Sequence, residues 1–361
     1  MPVALELSGV PDARALQAAL NMLARRHEVL RMRYQSRPDG SVVGFVSAVA
    51  DFSVPLTVVA VDSAAEETGK LRADAARPFS LETGPLIRAL LLTRTYSSGA
   101  TLALNLHHAV GDAWSWGVIY AELAECFIFA LRGKSGQPAL DALPIQYADY
   151  AAWQQEQLAS RTGQQLRHAW EEMLAGAPPV LSLPLDHPRP TKPSFLAGST
   201  KMQLPAGLMV DMDLLAEQLC VNTQAVLLAG LQVVLSRYSG QDDLVVGVPV
   251  AGRDRPETQG LVGYFINTLP VRCNLEDDPE LSTMTQRASN ALLFALSNSL
   301  LPLEQVLAAA RVQRVAGANP LFQASFSALH CKGVPIATPF ESAWAVFLFH
   351  PQITISLPAF L

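Results

Sequence analysis

Leu16, Ala19, Leu20 and Leu23 recur at helical intervals behind Asp12, a good N-cap, so the spacing predicts an amphipathic helix ending near His27. Short stretches rich in branched and apolar residues follow at 42–46, 57–61, 87–93 and 101–106, each bounded by Gly, Pro, Ser or Asp, and read as strands. A long helical pattern from 115 to 131 stops at Gly133, as a helix C-terminus does. Residues 132–144 hold two Gly and two Pro and read as a loop, after which 145–174 is helical in two pieces. Six prolines between Pro178 and Pro193, among them Pro184, Pro188 and Pro190, mark the best boundary. Beyond it the grammar repeats: a strand near 200–204, helices at 210–220 and 223–238, strands at 244–250 and 268–273, and a helix at 281–298. The pattern predicts an α+β chain, an α/β sandwich type, in two lobes at 1–177 and 178–361 with no sequence repeat between them.

Composition narrows the function classes. At 361 residues and 50% hydrophobic, the chain buries one large core or two medium ones, which excludes a peptide hormone, a coiled coil and a disordered regulator. Lys plus Arg is 26 against 32 for Asp plus Glu, a formal net charge of −6, so nucleic acid is not an expected partner. Arg25, Arg26, Arg31, Arg33 and Arg37 crowd together, but a solvated helix end accounts for such a cluster. No apolar run reaches the roughly 18 residues a membrane span needs, and the most apolar stretch of the tail, 343–349, is far too short. The opening Met1-Pro2-Val3-Ala4-Leu5-Glu6 has neither a basic region nor a long apolar one, so no secretory signal is read and a cytoplasmic location is expected. Cys126, Cys220, Cys273 and Cys331 are scattered, with no C-x-x-C pair; buried free thiols are expected.

The candidate chemistry lies at 101–115. Strand alternation puts Leu102, Leu104, Leu106 and His108 on one face and Asn105 with His107 on the other, so the two imidazoles should diverge. His108 then stands at a strand end, where catalytic groups tend to be exposed, with Asp112 four residues on. Three readings stand open for these residues. The histidines can be hydrogen-bonded core groups with Asp112 capping a helix. They can ligate a metal, although side chains on opposite strand faces share an ion poorly and no further His or Cys is near. His108 can be a general base or charge stabiliser, with Asp112 holding the loop through a buried ion pair.

His107-His108-Ala109-Val110-Gly111-Asp112-Ala113 resembles the HHxxxDG signature of the condensation domains of nonribosomal peptide synthetases. Four further stretches are similar to that family's motifs, in order: Arg26-His27-Glu28-Val29-Leu30-Arg31 to RHExLR, 147–153 to YxDYAxW, 262–272 to VGxFVNTxxxR, and Asn319-Pro320-Leu321-Phe322-Gln323 to NPLFQ. The resemblance spans about residues 3–329. It implies two chloramphenicol-acetyltransferase-like lobes in a V shape, with a tunnel between them and the HHxxxD loop at its middle. The implied reaction is amide formation between a donor acyl thioester and an acceptor amine, delivered on the 4'-phosphopantetheine arms of upstream and downstream peptidyl carrier domains, with adenylation domains as neighbours. No bound cofactor and no metal are expected.

The resemblance makes His108 the base or charge stabiliser, with His107 and Asp112 in the catalytic set. A lone buried carboxylate is costly, so Asp112 is expected to pair with Arg31, or else Arg26. Ala113, Trp114, Ser115, Trp153, Gly263 and Asn267 are expected at the tunnel or lobe interface. Tyr147, Tyr150 and Trp153 read as packing anchors, Gly263 as a turn residue, and Asn267 as a buried amide or a substrate contact. Ala113 replaces the family's usual glycine, and its methyl is expected to tighten the tunnel or strain the backbone. The chain begins after the family's first motif, SxAQxRxW, so the first strand is expected to be absent. The stretch 330–361 shows no family pattern, and both ends suggest a fragment or a divergent copy. The alternative function is a noncatalytic platform that keeps the fold and docks carrier proteins or a tailoring enzyme.

Overall fold

Val3, Leu5 and Leu7 alternate with Ala4 and Glu6, and this short alternation suffices to build an edge strand, β1 (Pro2–Leu7), that packs its apolar face on the core. The computed structural model describes residues 1–133, 136–187, 202, 204–329 and 352–356. Pro188, Pro190, Pro193, Cys331, the stretch 343–349 and most of the strand expected at 200–204 lie outside them.

The elements run α1 (Ala13–Arg26), β2 (Met32–Ser36), β3 (Val42–Val46), β4 (Leu56–Val61), α2 (Ala64–Ala76), β5 (Ile87–Arg94), β6 (Ala100–Leu106), α3 (Ala113–Leu131) and α4 (Tyr147–Ala159). After them come α5 (Arg161–Met173), α6 (Ala206–Gln218), α7 (Thr223–Ser239), β7 (Asp243–Val250), the short α8 (Pro256–Gln259), β8 (Asn267–Asn274), α9 (Leu281–Ser297), α10 (Leu303–Ala309), β9 (Ser325–Leu329) and β10 (Gln352–Ser356). Asp12 caps α1 by accepting from the N–H groups of Arg14 and Ala15 at 2.7 and 2.9 Å.

The described residues form two compact units, the first holding Met1–Trp153 and Arg253–Phe265, the second Gln154–Gly252, 266–329 and 352–356. The division falls inside α4 rather than at 177/178, and 253–265 returns to the first unit because Val262 joins that unit's core.

In the first unit the sheet runs β1-β6-β5-β4, antiparallel except for the parallel β4–β5 pair. Leu16, Leu20 and Leu23 of α1 and Ile119, Leu123 and Phe127 of α3 fill the core beneath it. Among the described residues α3 is the one single helix long and apolar enough to cross a bilayer, yet its Glu122 is paired with Arg26 and His27 and its apolar side is core. α2 docks largely through charge. Its buried Glu67 accepts from Arg94 at 3.0 Å through both Nε and Nη2 and from the hydroxyls of Thr101 and Tyr96, while Asp74 pairs with Arg88 at 3.1 Å.

The Arg94 hydrogen bonds hold the Glu67 carboxyl at about 2, well below its ordinary value. A depressed carboxylate contributes stability that is complete above its unfolded-state value and is lost as pH falls from near 4.5 towards 2. Glu67→Gln should therefore lower the melting temperature at pH 7 by several degrees, on the order of 2 kcal/mol, with the gap to wild type closing below about pH 4. A gap that stays constant across thermal melts from pH 7 to pH 3 would refute this assignment.

In the second unit the sheet runs β10-β9-β7-β8, with β7 and β9 parallel and the other pairs antiparallel. Trp170 is fully buried and donates its indole N–H to Asn298 O at 3.1 Å. Arg272 grips Asp243 at 2.7 and 2.9 Å and donates to Met173 O and Ala175 O. Cys126 in the first unit and Cys273 in the second are buried free thiols, pushed up to about 12 by burial. Cys220 is exposed, against the expectation, where the chain leaves α6.

Candidate functional site

β6 is buried along its whole length and ends at Leu106; the chain then makes one tight turn, His108–Val110, before Asp112 caps α3. The two imidazoles do meet different neighbours. His107 Nδ1 accepts from the Ala109 N–H at 3.0 Å and its ring sits edge-on to Phe79, with centroids 5.9 Å apart. Burial lowers its pKa and favours the neutral ring that this bond requires. His108 is exposed, with Nδ1 2.9 Å from Gly111 O and the ring 5.2 Å from that of Tyr264 at 77°. A carbonyl oxygen only accepts, so Nδ1 carries the proton and Nε2 of the neutral ring keeps its lone pair. This is the tautomer of a general base.

Asp112 is 2% exposed and fully engaged. Its Oδ1 accepts from Ser115 N–H (2.9 Å), Ser115 Oγ (2.8 Å) and Arg253 Nη2 (3.1 Å), and its Oδ2 from Phe265 N–H (3.1 Å). The expected ion pair exists, but its cation is Arg253, not Arg31 or Arg26. Arg31 instead donates Nε to Ala24 O at 2.9 Å and Nη1 to Ser47 O, bracing the end of α1, and Arg26 pairs with Glu122 at 3.0 Å on α3. Both arginines are consumed locally, which leaves neither for Asp112.

Arg253 is 5% exposed. Its Nη1 donates to Thr258 O (2.6 Å) and Leu261 O (2.7 Å), and its guanidinium lies 4.1 Å from the centre of the Phe265 ring. Burial lowers the guanidinium from its ordinary value while Asp112 opposes that shift. Arg253 thus folds 253–265 around itself and fastens the segment to the head of α3. Sequence reasoning missed it; the available signal was a Gly252-Arg253 pair in the connection directly after β7 and ten residues before Gly263.

Ser115 belongs to the same knot, its Oγ accepting from Gly263 N–H at 3.1 Å. Trp114 is half exposed and donates its indole N–H to Gln259 O at 2.9 Å. Ala113 is exposed in the first turn of α3 and is not among the residues with positive φ, so the backbone strain expected from losing glycine is not there. Tyr147 and Tyr150 anchor Phe265, with centroids 5.2 and 4.7 Å apart, and Arg255 lies 4.1 Å over the Trp153 ring. Asn267 spends its amide within the second unit, donating to Ser299 O and Leu301 O at 2.8 and 2.9 Å and accepting from Thr268 and Leu303 N–H. These bonds fix β8 to the chain after α9.

Gly263 lies at a bend, as a turn residue should, but its φ is not positive, so the backbone conformation does not demand glycine. A Cβ there would lie 2.4 Å from Tyr147 Cδ2 and 2.7 Å from Phe265 Cε2, so the constraint is close packing under two rings. Gly263→Ala should overpack this contact and destabilise the first unit by about 1–3 kcal/mol, read as a lowered thermal midpoint. A midpoint equal to wild type would mean that the rings yield freely.

The chain matches the condensation domain family over residues 1–334. It is 37% identical over 330 residues to a linear gramicidin synthase of Brevibacillus parabrevis, covering 90% of this chain and 4% of that synthase. It is therefore similar to one domain-sized part of a far longer protein. Among solved structures it is similar to the X-domain from teicoplanin biosynthesis, at a TM-score of 0.83 and 26% identity, covering 90% of this chain and 72% of that one. A complex of the X-domain and OxyB from teicoplanin biosynthesis matches at a TM-score of 0.80 and 27% identity, covering 90% of this chain and 70% of that one. With the His107-His108 pair, the buried Asp112 and the 262–268 segment packed where the geometry needs them, these matches show that this chain belongs to the condensation domain family.

Proposed function

We propose that the chain forms an amide bond between a donor acyl thioester and an acceptor amine, both carried on phosphopantetheine arms of peptidyl carrier domains. The observation that supports this reading best is His108: exposed in the tight turn that follows β6, with Nδ1 committed to Gly111 O and Nε2 left as the basic nitrogen. The acceptor nitrogen attacks the thioester carbonyl carbon; His108 Nε2 takes a proton from that nitrogen as the C–N bond forms. Collapse of the tetrahedral intermediate breaks the C–S bond, and the proton passes to the departing thiolate sulfur. Atoms and charge balance as amide plus thiol. Asp112 and Arg253 take no part in proton transfer: both are buried and bonded to each other, and they hold the loop and the 253–265 segment together.

In this reading the two units correspond to the family's two lobes, and carrier domains with adenylation domains beside them supply the substrates. Tethering would do much of the work by converting two diffusing reactants into neighbours. A docking platform for carriers or a tailoring enzyme is the second reading, favoured by the likeness to a domain solved in complex with OxyB. Incubation of the chain with a loaded donor carrier and a loaded acceptor carrier, followed by mass spectrometry of the acceptor, separates the two. Transfer of the acyl group is expected; carrier binding without any transfer would overturn the enzymatic reading.

A further inference from the structure

The base at His108 stands on a turn whose fixed points can be traced atom by atom. Ala109, the next residue, has its N–H bound to His107 Nδ1 at 3.0 Å. Its carbonyl accepts from the Tyr34 hydroxyl, also at 3.0 Å. Gly111 O closes the turn on the His108 ring itself. Of these three fastenings only Tyr34 comes from outside the turn and the strand that feeds it. It rides on β2, and its own N–H is fixed to Leu81 O at 2.7 Å.

The same device recurs at the ring that packs against the imidazole. The Tyr147 hydroxyl donates at 2.8 Å to the carbonyl of Tyr264, whose ring packs against His108. We infer that Tyr34 and Tyr147 are positioning residues for His108, their hydroxyls holding the backbone carbonyls of Ala109, the next residue in the turn, and of Tyr264, whose ring packs against the imidazole. Burial raises both phenols above their ordinary range, so both remain protonated donors at neutral pH. Neither hydroxyl touches the reacting atoms; each acts through a carbonyl.

The inference rests on the reading of His108 as the base, and its test is arranged so that the two can fail separately. Tyr34→Phe and Tyr147→Phe keep the rings and remove only the donors. In the full chain, single-turnover transfer between loaded carriers should fall about tenfold in each variant with the half-saturating carrier concentration unchanged, as expected when a reacting group is misplaced by a fraction of an ångström. The ¹⁵N imidazole resonances of His108 should shift in the same variants. In a His108→Ala background the Tyr→Phe changes should cost nothing further, because residues acting through one group are not additive. Unmoved His108 resonances in a folded Tyr→Phe variant, or an equal loss of rate with and without His108, would overturn the inference. Should His108→Ala itself leave transfer untouched, the base reading falls, and the resonance shifts still decide whether the hydroxyls hold the ring. The two variants are read independently, so misfolding of one leaves the other to give the answer.

Discussion

Replacing His108 with alanine is expected to lower the rate of the proposed amide transfer by about 10²-fold or more and to leave the thermal midpoint close to that of wild type. The rate loss follows from removing the one basic nitrogen that the turn presents, and the modest effect on stability from its exposure and its single local bond to Gly111 O. His107→Ala is expected to behave in the opposite sense. That ring is half-buried against Phe79 and holds the Ala109 N–H, so its removal lowers the midpoint and reduces the rate indirectly, through a loosened turn. The measurement is single-turnover transfer at saturating carrier, with thermal unfolding on the same samples. A folded His108→Ala protein with wild-type turnover would remove His108 from the chemistry; a His107→Ala protein that is inactive yet fully stable would require His107 to act on substrate.

What the sequence made legible was local. Asp12 and Asp112 each accept from the backbone at the head of a helix as their residue type foretells, and α3 stops just before Gly133. The divergence of His107 and His108 was expected from strand alternation, but β6 ends at Leu106 and it is the turn after it that sends the two rings apart. The aromatic spacing at Tyr147, Tyr150 and Trp153 gave packing anchors: the two tyrosines pack on Phe265, and Trp153 packs on Tyr150.

What could not be read was long-range pairing. Asp112 and Arg253 are 141 positions apart, and no periodicity links them. Arg31, the expected partner because it begins the extended stretch after α1, hydrogen-bonds within its own neighbourhood. The boundary shared this fate: prolines mark where a chain is irregular, whereas the units are decided by where Val262 and Phe265 find apolar partners. α2 went unread because its buried surface is carried by Glu67 and Asp74 more than by an apolar stripe. Several resemblance residues proved structural. Arg272 and Gln323 bind backbone or a sheet partner, and Phe322 fills the space that Gly247 leaves open.

Arg253→Met is expected to destabilise the first unit by about 3–5 kcal/mol, the range for stripping one partner from a buried ion pair. The substitution leaves the Asp112 carboxylate at 2% exposure with no counter-charge, and it frees Thr258 O and Leu261 O from the Nη1 that gathers them. Asp112→Asn is expected to cost a similar amount, since the guanidinium left behind is 5% exposed and its Nε already has no acceptor among the described residues. Arg253→Lys does not rescue, because one ammonium cannot reach Asp112 and both carbonyls in the fork geometry that Nη1 and Nη2 provide. The decisive variant is the double one. With both charges gone, Asp112→Asn with Arg253→Met should be more stable than the sum of the single losses by about 2 kcal/mol or more, since neither residue is then a buried unpaired ion. Urea unfolding of the four proteins measures this. Strict additivity would show that the two side chains hold the 253–265 segment independently, and the buried ion pair would then not be what fastens it to the head of α3.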